Sequence, residues 1–334
     1  MKKGLAILVG GCMLALSLAG CGGSGSSAAG GSSGSVATGS DGAKVFQVGV
    51  LQQMEHEALD AATQGFQDAL TEALGDQVEI TVQNAQNDSN TCTTIATSFV
   101  SSGVDLIMAN ATNALQAAAA ATDTIPILGT SITEYGVALS LSDFNGTVGG
   151  NISGTSDLAP LDQQAAMLQE WFPDAEKVGL LYCSGEPNSQ YQVDVVKAEL
   201  EEMGYTCTLY PFSDSNDLAT ITTSAAAESD VIYVPTDNTV ASNTGIVDGI
   251  CRPAKVPVIA GEEGICAGCG VATLSISYYD IGYKTGEMAA QILTGEADIA
   301  TMPIEYAPQF TKKYNAAICE ELGLTAPEGY EAIG

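Results

Sequence analysis

The sequence predicts an α/β fold: two doubly wound, Rossmann-like parallel-sheet domains with a ligand cleft between them. Three observations carry that prediction. One stretch occurs twice, as DLIMANATNAL at 105–115 and DVIYVPTDNTV at 230–240. Each copy is followed by an apolar run with Pro at the same place, Ile125-Pro126-Ile127-Leu128 and Val256-Pro257-Val258-Ile259. All four runs are continuously apolar rather than alternating, the pattern of strands buried on both faces of a parallel sheet. Ligands of open α/β sheets bind at the carboxyl ends of strands, and here those ends carry small polar residues.

The chain opens with Met1-Lys2-Lys3, an apolar run from Leu5 to Ala19, and Leu18-Ala19-Gly20-Cys21. A basic start, a short apolar core and small residues before a cleavage point make a signal peptide over 1–20. The run is too short to span a bilayer, which takes about 20 residues. Residues 21–43 are mostly Gly, Ser and Ala. Such a tract buries too little apolar surface to fold, and as a flexible tether it reaches roughly 25 Å.

The two halves then run in parallel. First strands are expected at Val45–Leu51 and Lys177–Tyr182. Amphipathic helices follow at Ala58–Leu74, with Leu59, Ala62, Phe66, Ala69 and Leu70 on one face, and at about Tyr191–Met203, with Val193, Val196 and Leu200. Gly75 and Gly204 stop them. Second strands at Val78–Val82 and Tyr205–Tyr210 lead into capping turns at 87–90 and 213–216, where Asp or Ser satisfies the first helix amides. The duplicated stretches are the third strands, so βαβαβ occurs twice. A Gly- and Ser-rich crossover at 139–157 joins the halves. A helix then runs from Pro160 to Trp171-Phe172. A strand at Val271–Ser277, a helix at Tyr279–Leu293, a strand at Ile304–Tyr306 and a helix at Asn315–Leu322 complete the chain. The expected division is 44–157 with about 276–300 in one lobe and 158–275 with about 301–334 in the other.

Without Lys2 and Lys3, 8 basic residues face 40 acidic ones, a formal charge of −32. That excludes the basic footprint of nucleic-acid binding and fits a solvated acidic surface. Seven cysteines follow Cys21, an odd number, so at least one is free or pairs outside the chain. Cys266-Ala-Gly-Cys269 is a lone CxxC, and with His56 the only His, no four-ligand zinc spacing exists. A loop disulfide or plain thiols are expected. A catalytic nucleophile, base and orienting group are not visible, nor is a phosphate-binding loop. The expectation is therefore a binding protein, with no catalytic residue, cofactor or metal.

Four motifs carry a family resemblance: QQMEHEALDA at 52–61, GGNISGTSD at 149–157, YVPTDNTV at 233–240 and SYYDIG at 277–282. With the Leu-Ala-Gly-Cys lipobox and the two βαβαβ halves, the chain resembles the substrate-binding lipoproteins of ABC importers with the type I periplasmic-binding fold, and within them the tryptophan-binding subfamily. The resemblance implies lipid on Cys21, attachment to the outer face of the cell membrane, a monomer that closes on a small molecule by hinge motion, and ABC permease subunits served by a cytoplasmic ATPase as partners. It implies an aromatic amino acid as ligand, with other amino acids, nucleosides or sugars as alternatives. A membrane-tethered sensor domain would use the same cleft. Where relatives often have Pro in the first loop, this chain has Glu57.

The loops at 52–57, 109–116, 129–134, 155–158, 183–190, 235–240 and 260–264 contain no Lys or Arg, which favours a neutral or zwitterionic ligand. Candidate ligand-binding residues are Gln53, His56, Asn110, Thr112, Gln116, Ser131, Ser156, Asp157, Ser184, Asn188, Ser189, Thr236, Asp237, Asn238 and Glu262. Thr112, Asn113 and Ser131, or Ser189 and the amides after Ser184, would hold a carboxylate at a helix start. Asp237 is the first choice for an ammonium group, with N-capping of the next helix as its competing role; Glu262 and Asp157 are alternatives. Gln53 and Gln116 would bond ligand edges. Tyr278, Tyr279 and Trp171 are expected to pack.

Overall fold

The computed structural model describes residues 44–333; the signal peptide, Cys21 and the tether lie outside the described residues. The first half runs β1 (Phe46–Gln52), α1 (Glu57–Leu74), β2 (Val78–Asn84), α2 (Ser89–Ser102), β3 (Leu106–Asn110), α3 (Thr112–Ala121), β4 (Ile127–Ile132), α4 (Tyr135–Ala138) and β5 (Ile152–Ser156). The second runs α5 (Leu161–Trp171), β6 (Lys177–Cys183), α6 (Pro187–Glu202), β7 (Thr206–Phe212), α7 (Ser215–Glu228), β8 (Val231–Val234), α8 (Asn238–Ala241), α9 (Thr244–Ala254), β9 (Val258–Ala260), α10 (Glu263–Cys269) and β10 (Ala272–Ser275). The chain returns through α11 (Tyr278–Thr294), β11 (Glu305–Tyr306), β12 (Thr311–Tyr314), α12 (Ala316–Leu322) and β13 (Glu331–Ala332).

Two sheets result, ordered β11-β5-β4-β3-β1-β2 and β13-β12-β10-β9-β8-β6-β7. The duplication thus reaches topology: both halves order their first five strands 2-1-3-4-5. Every pairing is parallel except β10 with β12. The central runs β3 and β8 are buried at every residue, as their unbroken apolar sequence requires. The paired aspartates at their starts do the same work. Asp105 accepts from Gln47 N (2.8 Å), and Asp230 from Glu176 N and Lys177 N (2.9 and 2.8 Å). Those amides hold Asp230 below the usual carboxylate range. Asp88 and Asp214 cap α2 and α7.

Each sheet is covered on both faces. In the first lobe, Phe66 of α1 and Met288 of α11 pack with Val50 and Met108 on one face, and Phe99 and Leu115 pack with Leu51 and Ile107 on the other. Glycines allow α11 to lie close on α1: a Cβ at Gly65 would sit 2.1 Å from Tyr279 O, and one at Gly282 2.0 Å from Ala62 O. In the second lobe, Leu168, Leu180, Val193 and Tyr233 form one face, and Leu181, Leu218, Ile232 and Val247 the other. Trp171 is core, edge-on to Tyr330 at 5.3 Å.

The lobe boundary differs from the expected one. β11 pairs with β5 in the first sheet, Ile304 joins the first core, and Ser153 Oγ donates to Met302 O. Residues 301–306 therefore belong with the first lobe, because β5 offers them a free sheet edge before the chain recrosses. Strands β12 and β13 have no apolar run to announce them; β12 reads Thr-Lys-Lys-Tyr and is half-buried. The described cysteines are free thiols, with Cys251, Cys266 and Cys269 acting as small apolar groups of the second core.

Candidate functional site

On the first lobe the site begins at Asn110, the last residue of β3. It is fully buried, and its Nδ2 donates to Leu59 O and Thr63 Oγ1 (2.8 and 3.0 Å), while its Oδ1 has no partner. The next residue, Ala111, takes φ 82° and ψ 163°, a region that belongs almost solely to glycine. That strained step carries the chain from strand to α3 with no cap from residue 111 itself, so buried Thr112 starts a helix whose first-turn amide at Asn113 is met from outside, by Gln53 Oε1. Ser131 is also in the left-handed region, at φ 55°, where the β4–β5 register shifts, and its buried Oγ is unpartnered. Gln53, expected to bond a ligand edge, is engaged by the scaffold: its Oε1 accepts from Asn113 N (3.1 Å) and its Nε2 donates to Asn87 Oδ1 (2.9 Å). Gln116 likewise turns to scaffold, donating to Ala138 O (2.9 Å) to tie α3 to α4.

On the second lobe, Asp237 is not an open ammonium partner. Its Oδ1 accepts from Val240 N (2.9 Å), capping α8, and its Oδ2 accepts from Cys183 N (2.7 Å), with the Ser189 hydroxyl also beside it. The competing capping role has won. Burial and then neighbouring Glu186 push Asp237 up to about 8. Ser184 leaves the site altogether: it is exposed, and its hydroxyl donates to Phe212 O (3.0 Å) at the sheet edge. Thr236 supports the loop, its carbonyl receiving Asn188 Nδ2 and Gln192 Nε2 (3.1 Å each). Buried Asn188 keeps an unpartnered Oδ1.

Where the chain crosses between lobes, Ser156 is used internally, donating to Thr133 O and accepting from Leu158 N. Asp157 accepts from Tyr278 OH on Oδ2 (3.0 Å), and its Oδ1 is unpartnered. Burial pushes this carboxyl up to about 6, with the Tyr278 hydroxyl acting against it. Glu262 caps α10 through Gly264 N and Ile265 N. Burial, with a smaller push from the Glu57 and Asp157 charges, lifts it to about 7 against those two amides. A cavity of about 600 Å3 lies beside the hinge, lined by Glu57, Glu262, Tyr278, Asp280 and Lys313 among others. Of the candidate residues Glu262 lines it, and Asn110, Ser131, Asp157 and Asn188 do not.

Seven buried side-chain polar atoms lack a partner among the described residues, and four belong to Asn110, Ser131, Asp157 and Asn188. These four come from both lobes and the crossover. Buried polar groups are normally paired, so each of the four is an open hydrogen-bonding position. The lobes also touch directly. His56 Nε2 meets Asn238 Oδ1 at 3.1 Å, and Asn87 Nδ2 donates to Thr239 Oγ1 at 3.1 Å. Burial lowers the His56 pKa against the Asn238 bond and nearby carboxylates.

Sequence reasoning missed Glu186. It is 1% exposed, and its carboxylate accepts from the backbone and side chains of Asn238 and Thr239. The available signal was Pro187, since Pro favours the first helical position and so marks the residue before it as the helix start.

A family model described as ABC transporter substrate binding protein matches residues 47–332. The chain belongs to this family. As a substrate-binding protein it carries out recognition rather than catalysis, on the type I periplasmic-binding fold. It is 36% identical over 309 residues to a tyrosine-binding protein of Clostridioides difficile, covering 91% of this chain and 87% of that one. Among solved structures, an ABC domain in complex with L-Trp from Streptococcus pneumonia matches with TM-score 0.82 and 33% identity, over 86% of this chain and 100% of that one. The ligand-free, open structure of a substrate binding protein with adhesive properties from Clostridium difficile is more alike in sequence, at 38%, yet its TM-score is 0.66 over 86% of this chain and 99% of that one. The substrate-binding protein therefore superposes better on the liganded relative than on the open one, in keeping with its cross-lobe bonds. No helix among the described residues is long and apolar enough to cross a membrane.

Proposed function

We propose that this protein is the extracellular receptor of an ABC importer for a free amino acid, with an aromatic side chain as the best candidate. The observation that carries this reading is the set of four unpaired buried polar atoms on Asn110, Ser131, Asp157 and Asn188. An ammonium group has three donors and no acceptor, and Asn110, Asp157 and Asn188 offer free acceptor oxygens. Asp157 is the carboxylate among them and takes the role first expected of Asp237. A ligand carboxylate would be met by Thr112 at the start of α3 and by Ser131 Oγ, since the helix-start amides other than Asn113 N, which Gln53 holds, attract anions. The candidate loops hold no Lys or Arg, which disfavours phosphates and dicarboxylates. The aromatic class comes from the relatives, one named as tyrosine-binding and one solved with L-Trp.

Delivery to a permease driven by a cytoplasmic ATPase, and a lipid anchor on Cys21, complete the proposal. A thermal-shift screen of the full chain, refolded to remove carried-over ligand, tests it against the amino acids, nucleosides, common sugars and polyamines. A ligand at 100 times its Kd stabilises by about 2.7 kcal/mol. A shift confined to Tyr, Trp or Phe is expected. A shift with a sugar or nucleoside alone would overturn the amino-acid reading. The anchor is tested separately: Cys21→Ser should release the protein from the membrane fraction into the medium.

A further inference from the structure

The residues that hold the two lobes together are not free surface groups. Asn238 and Thr239, which make the cross-lobe bonds to His56 and Asn87, are both bound to one buried carboxylate. Glu186 Oε2 accepts from Asn238 N and Nδ2 (3.0 and 2.7 Å), and Oε1 from Thr239 N and Oγ1 (2.9 and 2.7 Å). Because Asn238 Nδ2 is taken by Glu186, its Oδ1 faces His56, and His56 Nε2 must carry the hydrogen. Because the Thr239 hydroxyl hydrogen goes to Glu186, its oxygen is left to accept from Asn87 Nδ2. The carboxylate therefore orients both acceptors toward the opposite lobe.

The same network runs on to the cleft at each end. On the second lobe, Asn188 Nδ2 also reaches Glu186 Oε2 (3.3 Å), and the Oδ1 of that amide is one of the four unpaired atoms. On the first lobe, Asn87 Oδ1 accepts from Gln53 Nε2, and Gln53 Oε1 accepts from Asn113 N in the first turn of α3. Asn87 is presented by two successive left-handed residues, Gln86 at φ 53° and Asn87 at φ 61°. Asn adopts this region readily, whereas Gln does so less often.

We propose that Glu186 is the positioning residue of an inter-lobe latch. Through Asn238 and Thr239 it sets how long the closed form, and so the captured ligand, persists. The inference rests on ligand capture between the lobes, the reading given above. Affinity differences within one interface appear mostly in the off-rate. Residues remote from the ligand would then govern retention while leaving encounter unchanged.

The test is a double-mutant cycle on the full chain with Asn87→Ala and Thr239→Val, read by stopped-flow with L-tyrosine and L-tryptophan as probes and by a dye pair, one dye on each lobe. Each single variant should raise the off-rate about three- to tenfold, the worth of one hydrogen bond, with the on-rate nearly unchanged. The double variant should be no worse than either single one. The ligand-free dye pair should move apart in all three. Glu186→Gln, which disturbs the support of both Asn238 and Thr239, should raise the off-rate and the dye separation at least as much as the double variant, whatever it does to melting temperature; a smaller effect would overturn its positioning role. Additive off-rates, or a drop confined to the on-rate, would overturn the latch. If the wild type binds neither amino acid, the ligand reading fails by itself. The latch then stands or falls on whether the variants change the ligand-free dye separation.

Discussion

After its third strand the first lobe enters α3 through Ala111, strained and without a side-chain cap; at the same topological position the second lobe enters α8 through Asp237, which caps the helix with its own carboxylate. One strand later the lobes agree: Glu134 caps α4 through Val137 N and Glu262 caps α10, while Ser131, inside β4, keeps a strained backbone and a free hydroxyl. The two copies of one fold thus differ at the helix that follows the third strand. Capping satisfies orphan amides and stabilises a helix by about 1 kcal/mol. Residue 111 forgoes that contribution at α3, where Gln53 Oε1 meets Asn113 N instead. On the reading proposed above, the first lobe would meet the ligand with Asn110, Ser131 and Asp157, and the second with Asn188.

The largest expected effect separates the one open carboxylate from the capping ones. Asp157→Asn keeps the acceptor for Tyr278 but removes the charge. Amino-acid affinity by calorimetry should fall about 10- to 100-fold, the worth of a charge-assisted hydrogen bond, with the melting temperature unchanged or raised. Asp237→Ala should do the reverse: denaturant unfolding should show a loss of about 2 kcal/mol, the upper range for a cap, while the refolded protein binds within about threefold of the wild type. A large affinity loss at Asp237 with intact stability would erase the distinction between the lobes.

A pH titration sharpens the same contrast. Burial leads the lift of Asp157 to about 6, Glu262 to about 7 and Asp237 to about 8. Unfolded carboxyls titrate near 4, so over this window the folded form holds more protons than the unfolded one. Stability of the ligand-free protein should therefore be greatest near pH 4 to 5 and decline as pH rises through about 8. Ligand, whose ammonium favours ionised Asp157, should flatten the decline between pH 5 and 7, and so should Asp157→Asn. Equal slopes with and without ligand would argue against an ammonium there. The smallest effect concerns strain: Ala111→Gly should stabilise the protein by about 1 kcal/mol in denaturant unfolding, with little change in affinity. No gain would mean that the first lobe bears no strain at this step.

Much of this molecule was legible before its structure. The duplicated strands, both first helices, the Asp88 and Asp214 caps and the placement of Trp171 in the core follow from local rules. Asn110, Ser131, Asp157 and Asn188 were all among the candidates, since each stands at or just past a strand end or, for Asn188, in the first turn of the helix that follows. What was not legible was which polar groups at those ends are already occupied. Asp237, Gln53, Gln116, Ser156 and Glu262 share the chemistry of the open residues, but their oxygens or amides are taken by backbone groups. For Gln53, Gln116 and part of Asp237 those groups lie far off in sequence.

The sequence by itself determined the two βαβαβ halves and the two-lobed fold, because burial on both faces and helix periodicity are written in nearest neighbours along the chain. Tertiary structure alone decided the order of the strands, which polar groups at their ends stay unpaired, where the chain recrosses at 306–311, and that Glu186 should hold the contacts between lobes. Each of these depends on whether a polar atom finds its partner across the fold. The desolvation cost of leaving one unpaired is settled only when every distant neighbour is in place.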